Sequence, residues 1–441
     1  MTAHGSVGAA GRTRIVRYAR VPPPRRGTAP GMTPLIQDRT VALLLQGYGW
    51  LPDLRRRAPN GDVVRTRLLG RTAVALHGPE AVHFFYDEGH VRRAGALPGP
   101  VLDTLFGRGA VHTLDGADHR VRKALFVAGL TDPAAVASFV DHAETAWRAA
   151  FAPSGGREVV LFEEAALVLA RAVRDWAGLP YDDGEVGGLA RDCLAMVDGF
   201  ATPGPRHLRA RRARSRQEGV LARAVEEARG STVSAADTPF AAFVRHRDAG
   251  AGLLDLHTAA VELLNVARPA IAIAWFVAFA GHALHRWPET REHLRDDGPG
   301  AYATAFAHEV RRFYPFVPFV GGLAARDLEW RGEPIPEDAL LLLDVYGQNH
   351  DAALWPDPYR FDPGRFLSRP PHPDALIPQG GGDVHTGHRC PGEDITVAVL
   401  AALSRALARQ EWTVPPQDLR IPLRRIPTAP RSGFRIALPP V

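Results

Sequence analysis

Apolar residues recur at helical spacing over most of this chain. The pattern predicts helices over 40–48, 79–86, 119–126, 133–152, 164–177, 185–200, 206–229, 254–286, 302–314 and 392–409. Short strand-like runs occur at 63–67, 72–77, 332–335, 340–344 and 434–438. No boundary composition follows Met32, so the expectation is a mainly α chain with one domain over 32–441 and a minor β region. The most apolar run, 269–284, falls short of the ~20 residues that cross a bilayer. Arg268 stands directly before it, and no membrane partner is expected.

The first 31 residues break the pattern. They hold Arg12, Arg14, Arg17, Arg20, Arg25 and Arg26 and a Pro22-Pro23-Pro24 run, with no acid before Asp38. Residues 1–31 are expected to be a disordered basic extension, not a targeting tail. Met32, one of three methionines, precedes the first periodic segment and is the expected natural start.

Composition adds two restrictions. The net charge of +5 comes from basic residues that are all arginine except Lys123. No basic run is interleaved with aromatics, so no nucleic-acid partner is expected. Only Cys193 and Cys390 carry thiols. Two cysteines exclude a disulfide framework, none has zinc-site spacing, and the usage fits a cytoplasmic location.

The segment around Cys390 reads QGGGDVHTGHRCPGE. Its glycines free the backbone to approach a flat ligand closely. A helix starting near Glu393 would turn its N–H groups and dipole towards a thiolate at Cys390. A thiolate is the form that ligates haem iron. Two distant motifs accompany this loop: Glu309-Val310-Arg311-Arg312, with Glu and Arg on one helical face, and Phe361-Asp362-Pro363-Gly364-Arg365-Phe366.

In this order the three motifs resemble the cytochrome P450 family. The resemblance implies a haem b held between the long central helix and the Cys390 loop, with Cys390 as axial ligand. It also implies that Glu309, Arg312 and Arg365 lock the structure behind the haem. Two departures point to a branch. The usual Phe seven residues before the Cys is Asp383, and the usual Gly four before it is Thr386. In mid-helix the usual acid–alcohol pair is replaced by Arg268-Pro269, within Asn265-Val266-Ala267-Arg268-Pro269-Ala270. Both departures resemble the bacterial fatty-acid peroxygenases.

Arg268 has no acid three or four places away on the helix, and an unpaired buried guanidinium costs several kcal/mol. A ligand carboxylate held in a bidentate fork is the expected partner. The stretch from Arg92 to Phe126 extends the resemblance. There Phe106 and His112 match the distal face, and Arg93, His119 and Lys123 match a propionate-binding set, joined by His388. Residues 133–250 are expected to form much of the channel, with Leu179 as a wall and Asn265 near the substrate.

The implied activity is peroxide-dependent. Fatty acids would be hydroxylated at the α or β carbon, decarboxylated to terminal alkenes, or both. Arg268, Pro269 and His112 would act at the reacting end, and no obligatory redox partner is implied. The alternatives are a conventional monooxygenase with redox partners and a peroxygenase for another carboxylic acid, whose pocket Trp275, Phe276 and Leu179 would reshape. A non-catalytic haem-binding protein is the third.

Overall fold

The computed structural model describes residues 38–58, 63–152, 156–200, 202–231, 238–298 and 300–440. All of them belong to one unit. The basic extension 1–31 and the start expected at Met32 lie outside the described residues.

Asp255 begins the longest element. Its carboxylate accepts the Thr258 N–H at 2.9 Å and the Thr258 hydroxyl at 2.6 Å, which satisfies a helix end that otherwise lacks partners. From there Leu256–Arg286 runs as one helix through Pro269. It packs against helices Leu161–Ala177, Val186–Gly199, Pro205–Gly230 and Glu393–Arg409, so it needs no polar face. Gly281 permits a close approach, since a Cβ there would sit 2.5 Å from Leu161 Cδ2. By length and composition this 31-residue helix is able to cross a membrane, which corrects the shorter run read from the sequence. Its most apolar window is 89% buried inside the chain, and that burial accounts for its composition.

Among the described residues nine short strands accompany the helices: β1 Val63–Leu68, β2 Arg71–Leu76, β3 Val91–Arg92, β4 Glu158–Val160, β5 Val320–Ala324, β6 Leu328–Trp330, β7 Glu333–Ile335, β8 Leu340–Leu343 and β9 Arg435–Ala437. Five form one sheet in the order β1-β2-β8-β5-β3. Strands β2 and β8 pair in parallel with Ala73 opposite Leu340, and the other neighbours are antiparallel. The four leucines of β8 are all buried, as expected of a strand covered on both faces.

Four strands and several short helices escape the periodicity reading. In β5, Gly321 and Gly322 dilute the apolar signal, yet Gly322 is needed there. A Cβ on it would lie 2.3 Å from Val91 Cγ1 in the neighbouring strand. Helices Pro239–Arg245 and Pro288–Asp296 start on prolines. A first-turn proline gives up no hydrogen bond, but it reads as a loop.

Burial also sets an acid limit. His282 and His308 are both pushed down to about 4 from an ordinary 6.5, first by burial. Each is neutral in the fold, whereas the unfolded chain takes up the proton near pH 6.5. Their contribution is therefore intact above about pH 6.5 and is lost as pH falls towards 4. Denaturant titrations at pH 7 and pH 4.5 are expected to show lower stability and net proton uptake on unfolding at the acid end. Equal stabilities at the two pH values would contradict this.

Candidate active site

Cys390 lies three residues before helix Glu393–Arg409, in a loop fixed from several sides. Its N–H donates to the Gln379 carbonyl at 3.1 Å. The Gln379 side chain takes the Arg311 Nε at 2.9 Å and donates to Thr396 Oγ1 at 3.1 Å. Arg311 also pairs with Glu393, which Arg389 reaches at 2.8 Å. Burial pushes the Cys390 thiol up, against the pull of the Gly392 N–H, the Lys123 charge and the Gln379 amide. Iron coordination itself removes such a proton. Cys193 is fully buried on helix Val186–Gly199, and burial raises it to about 12, so it is an inert core thiol.

The two departures in this loop belong together. Asp383 Oδ1 accepts the Thr386 N–H at 2.6 Å and the Thr386 hydroxyl at 2.9 Å, a side-chain turn that closes the loop locally. The preceding glycines serve mainly helix Pro79–Tyr86. A Cβ on Gly381 would meet Val82 Cγ1 at 2.3 Å, and one on Gly382 would meet Tyr86 Cβ at 2.8 Å.

Behind the loop, Glu309 and Arg312 are fully buried and pair at two points, each 2.7 Å. Arg365 reaches Glu309 at 3.4 Å, and the Asp362 N–H donates to the same carboxylate at 2.8 Å. Arg312 spends a further nitrogen on the carbonyls of Asn349 and Pro358, both 2.9 Å away.

A cavity of about 1670 Å³ opens between this loop and the long helix. Cys390, Arg93, His119, Lys123 and His388 line it, as do Phe106, His112, Asn265, Arg268 and Pro269. His119 and Lys123 lie one helical turn apart. His119 stacks on His388 with ring centres 3.8 Å apart. The Arg93 guanidinium lies 4.2 Å over Phe85, and its pKa is lowered by burial. Lys123 donates to the Arg389 carbonyl, and burial brings it down to about 8.

Phe106 and His112 pack with ring centres 4.5 Å apart. His112 is held neutral at about 3, first by burial and then by Arg268. The neutral ring is a hydrogen-bonding group, not a reservoir of acid. Arg268 is 6% exposed. Its Nη2 donates to Asn265 Oδ1 at 3.2 Å, and its Nε has no partner. No acid pairs with it among the described residues, and burial lowers it to about 9, so it stays charged at neutral pH. No Asp or Glu lines the cavity among the described residues.

Two expected wall residues lie elsewhere. Leu179 is buried but does not line the cavity. Gly178 ends helix Leu161–Ala177 in a left-handed turn that carries Leu179 past it, and Trp176 faces the space instead. Trp275 packs against Phe162 and Phe316, while Phe276 reaches the cavity. From 133–250 the lining includes Phe139, Trp176, Val197 and Phe200.

The buried charges that escaped the sequence reading include Arg214, Arg122 and Glu262. Arg214 clamps the carbonyls of Leu105 and Phe106 at 2.6 and 2.9 Å. It fits because Gly107 lacks a Cβ, which would lie 2.2 Å from its Nη2. Arg122 and Glu262 pair at 2.8 Å. Arg214 also pairs with Glu218 one turn on at 2.6 Å, but these other partners lie more than a hundred residues away in sequence, where local spacing carries no sign of them.

The residues fit a haem. The buried nitrogen His119 Nδ1 lacks a hydrogen-bond partner, as a group facing a propionate would, His388 Nε2 has only Asp115 at 3.8 Å, and Cys390 shares their cavity. These features suit a haem beside the Cys390 loop. The comparisons agree. The family model described as Cytochrome P450 matches residues 301–432. Among curated proteins, Cytochrome P450 4A7 of Oryctolagus cuniculus is 30% identical over 184 residues, covering 38% of this chain and 35% of that protein. Among solved structures, cytochrome P450EX alpha with myristic acid matches at 37% identity and a TM-score of 0.86, over 90% of this chain and 96% of its own. Cytochrome P450SP alpha in complex with (R)-ibuprophen matches at 39% and 0.86, over 91% and 98%. The chain belongs to the cytochrome P450 family.

Proposed function

We propose that the chain is a peroxygenase containing haem b that uses hydrogen peroxide to oxidise fatty acids held by Arg268. The observation that carries this is the charge pattern of the cavity. Arg268 is buried and lacks an acid partner among the described residues, and no carboxylate lines the space around it. Two neighbours were solved with carboxylic acids, myristic acid and (R)-ibuprophen.

When bound through Cys390, the haem supplies peroxide cleavage and oxidation of a nearby C–H bond. The protein does the rest. Arg93, His119, Lys123 and His388 would hold the propionates, and Glu309, Arg312 and Arg365 brace the structure behind the cysteine. Arg268 grips the substrate carboxylate and fixes Cα and Cβ against the reacting centre. Pro269 and Phe106 shape the space beside that grip. The gripped carboxylate is also the acid–base group the cavity otherwise lacks, able to take a proton from peroxide and return one to the departing oxygen. His112 offers a neutral N–H or ring nitrogen nearby. The products are the α- or β-hydroxy acid and, by the competing route, the terminal alkene. No redox partner is required.

The test is incubation of the haem-loaded protein with hydrogen peroxide and acids of graded chain length, with products identified by mass spectrometry. Hydroxy acids or alkenes formed without a reductase are expected. Turnover that appears only with NAD(P)H and a reductase would overturn the proposal in favour of a conventional monooxygenase.

A further inference from the structure

We propose that Glu262 is the positioning residue for Arg268. It sets the direction of the guanidinium through Asn265 and holds the turn that carries His112. This rests on the carboxylate-binding reading above and adds a residue that does not line the cavity.

Glu262 stands on the long helix six residues before Arg268, with 0% exposure. Its Oε1 accepts the Val111 N–H at 2.7 Å and Arg122 Nη1 at 2.8 Å. Its Oε2 accepts Asn265 Nδ2 at 3.1 Å. Three donors therefore converge on two oxygens, and a proton on this carboxyl would face donors only. Burial pushes Glu262 up, and Asn265, Arg122 and the Val111 N–H pull it back. Arg122 is itself tied to Asp248 at its other edge.

The consequence falls on Asn265. The same Nδ2 donates to the Phe106 carbonyl at 2.9 Å. Both groups facing that end of the amide, a carboxylate and a carbonyl, only accept. The amide must turn its NH2 to them and its oxygen away, and that oxygen is the acceptor for Arg268 Nη2. The reversed amide would set its oxygen against two acceptors and its NH2 against the guanidinium. Glu262 thus excludes the orientation in which Arg268 has no anchor. Through Val111 it also fixes the residue beside His112, so one buried carboxylate sets both distal groups.

Glu262→Gln keeps the shape but replaces one acceptor oxygen by a donor. Asn265 then keeps the Phe106 carbonyl but loses the second acceptor that holds its orientation. The experiment titrates the full haem-loaded chain with myristate and with 1-tetradecanol, following the haem absorbance change. Wild type is expected to prefer the acid. Glu262→Gln is expected to weaken myristate by about tenfold, the scale of one charged hydrogen bond, while 1-tetradecanol is unchanged. Asn265→Ala, which leaves the Glu262–Arg122 pair in place, is expected to do the same, and Arg268→Ala to abolish the preference. Equal weakening of both ligands in Glu262→Gln, or an unchanged preference, would overturn the positioning role while the Arg268 reading stands. If Glu262→Gln does not fold, a wild-type preference in Asn265→Ala overturns it instead. An unchanged preference in Arg268→Ala would overturn the carboxylate reading itself.

Discussion

Arg268→Ala is expected to lose on the order of a hundredfold or more in kcat/KM for peroxide-driven oxidation of myristate. A hydrogen bond to a charged group contributes about 1.5–3 kcal/mol, so a two-point fork on a carboxylate is worth about 3 kcal/mol at the least. Each 1.36 kcal/mol is about tenfold in rate. The loss should exceed that of a simple binding contact, because the grip also places the reacting carbons and brings a carboxylate to a cavity that no Asp or Glu lines among the described residues. Both kcat and KM should therefore move. Arg268→Lys keeps a charge but not the planar fork, and an intermediate activity is expected. Steady-state rates for the three proteins measure this. Wild-type efficiency in Arg268→Ala would sink the clamp.

The second large effect is on stability. Arg312→Ala is expected to destabilise the fold by about 3–5 kcal/mol, the usual cost of breaking a buried ion pair. Glu309 would remain with 0% exposure, facing only Arg365 at 3.4 Å and the Asp362 N–H. The carbonyls of Asn349 and Pro358 would lose a donor as well. That cost is a large share of the roughly 5–15 kcal/mol that separates folded from unfolded states. A lower urea midpoint and reduced recovery of haem-loaded protein are the expected readings. A midpoint equal to wild type would show that the pair is not structural.

The helices and the cysteine loop were legible because their signals are local. A 3.6-residue period, a glycine run before a cysteine, and Glu and Arg three apart each sit in one short window. Asp383 and Thr386 were visible as departures, but the hydrogen bonds that make them one turn were not. Contacts across the fold left less trace. Glu262 and Arg122 look like ordinary surface charges until the structure buries them together. Leu179 was expected in the wall from the resemblance alone, and Trp176, just before the left-handed Gly178, lines the cavity instead. The strand β5 was hidden by glycines whose purpose lies in the strand beside them.

The lone lysine has a practical side. Apart from the α-amino group, Lys123 is the chain's only amine. It is 3% exposed and donates to the Arg389 carbonyl beside Cys390. An amine-directed label therefore has a single internal target, set in the wall of the haem pocket. The time course of its attachment, read by mass spectrometry, becomes a clock for how often that wall opens, and haem loading should slow it.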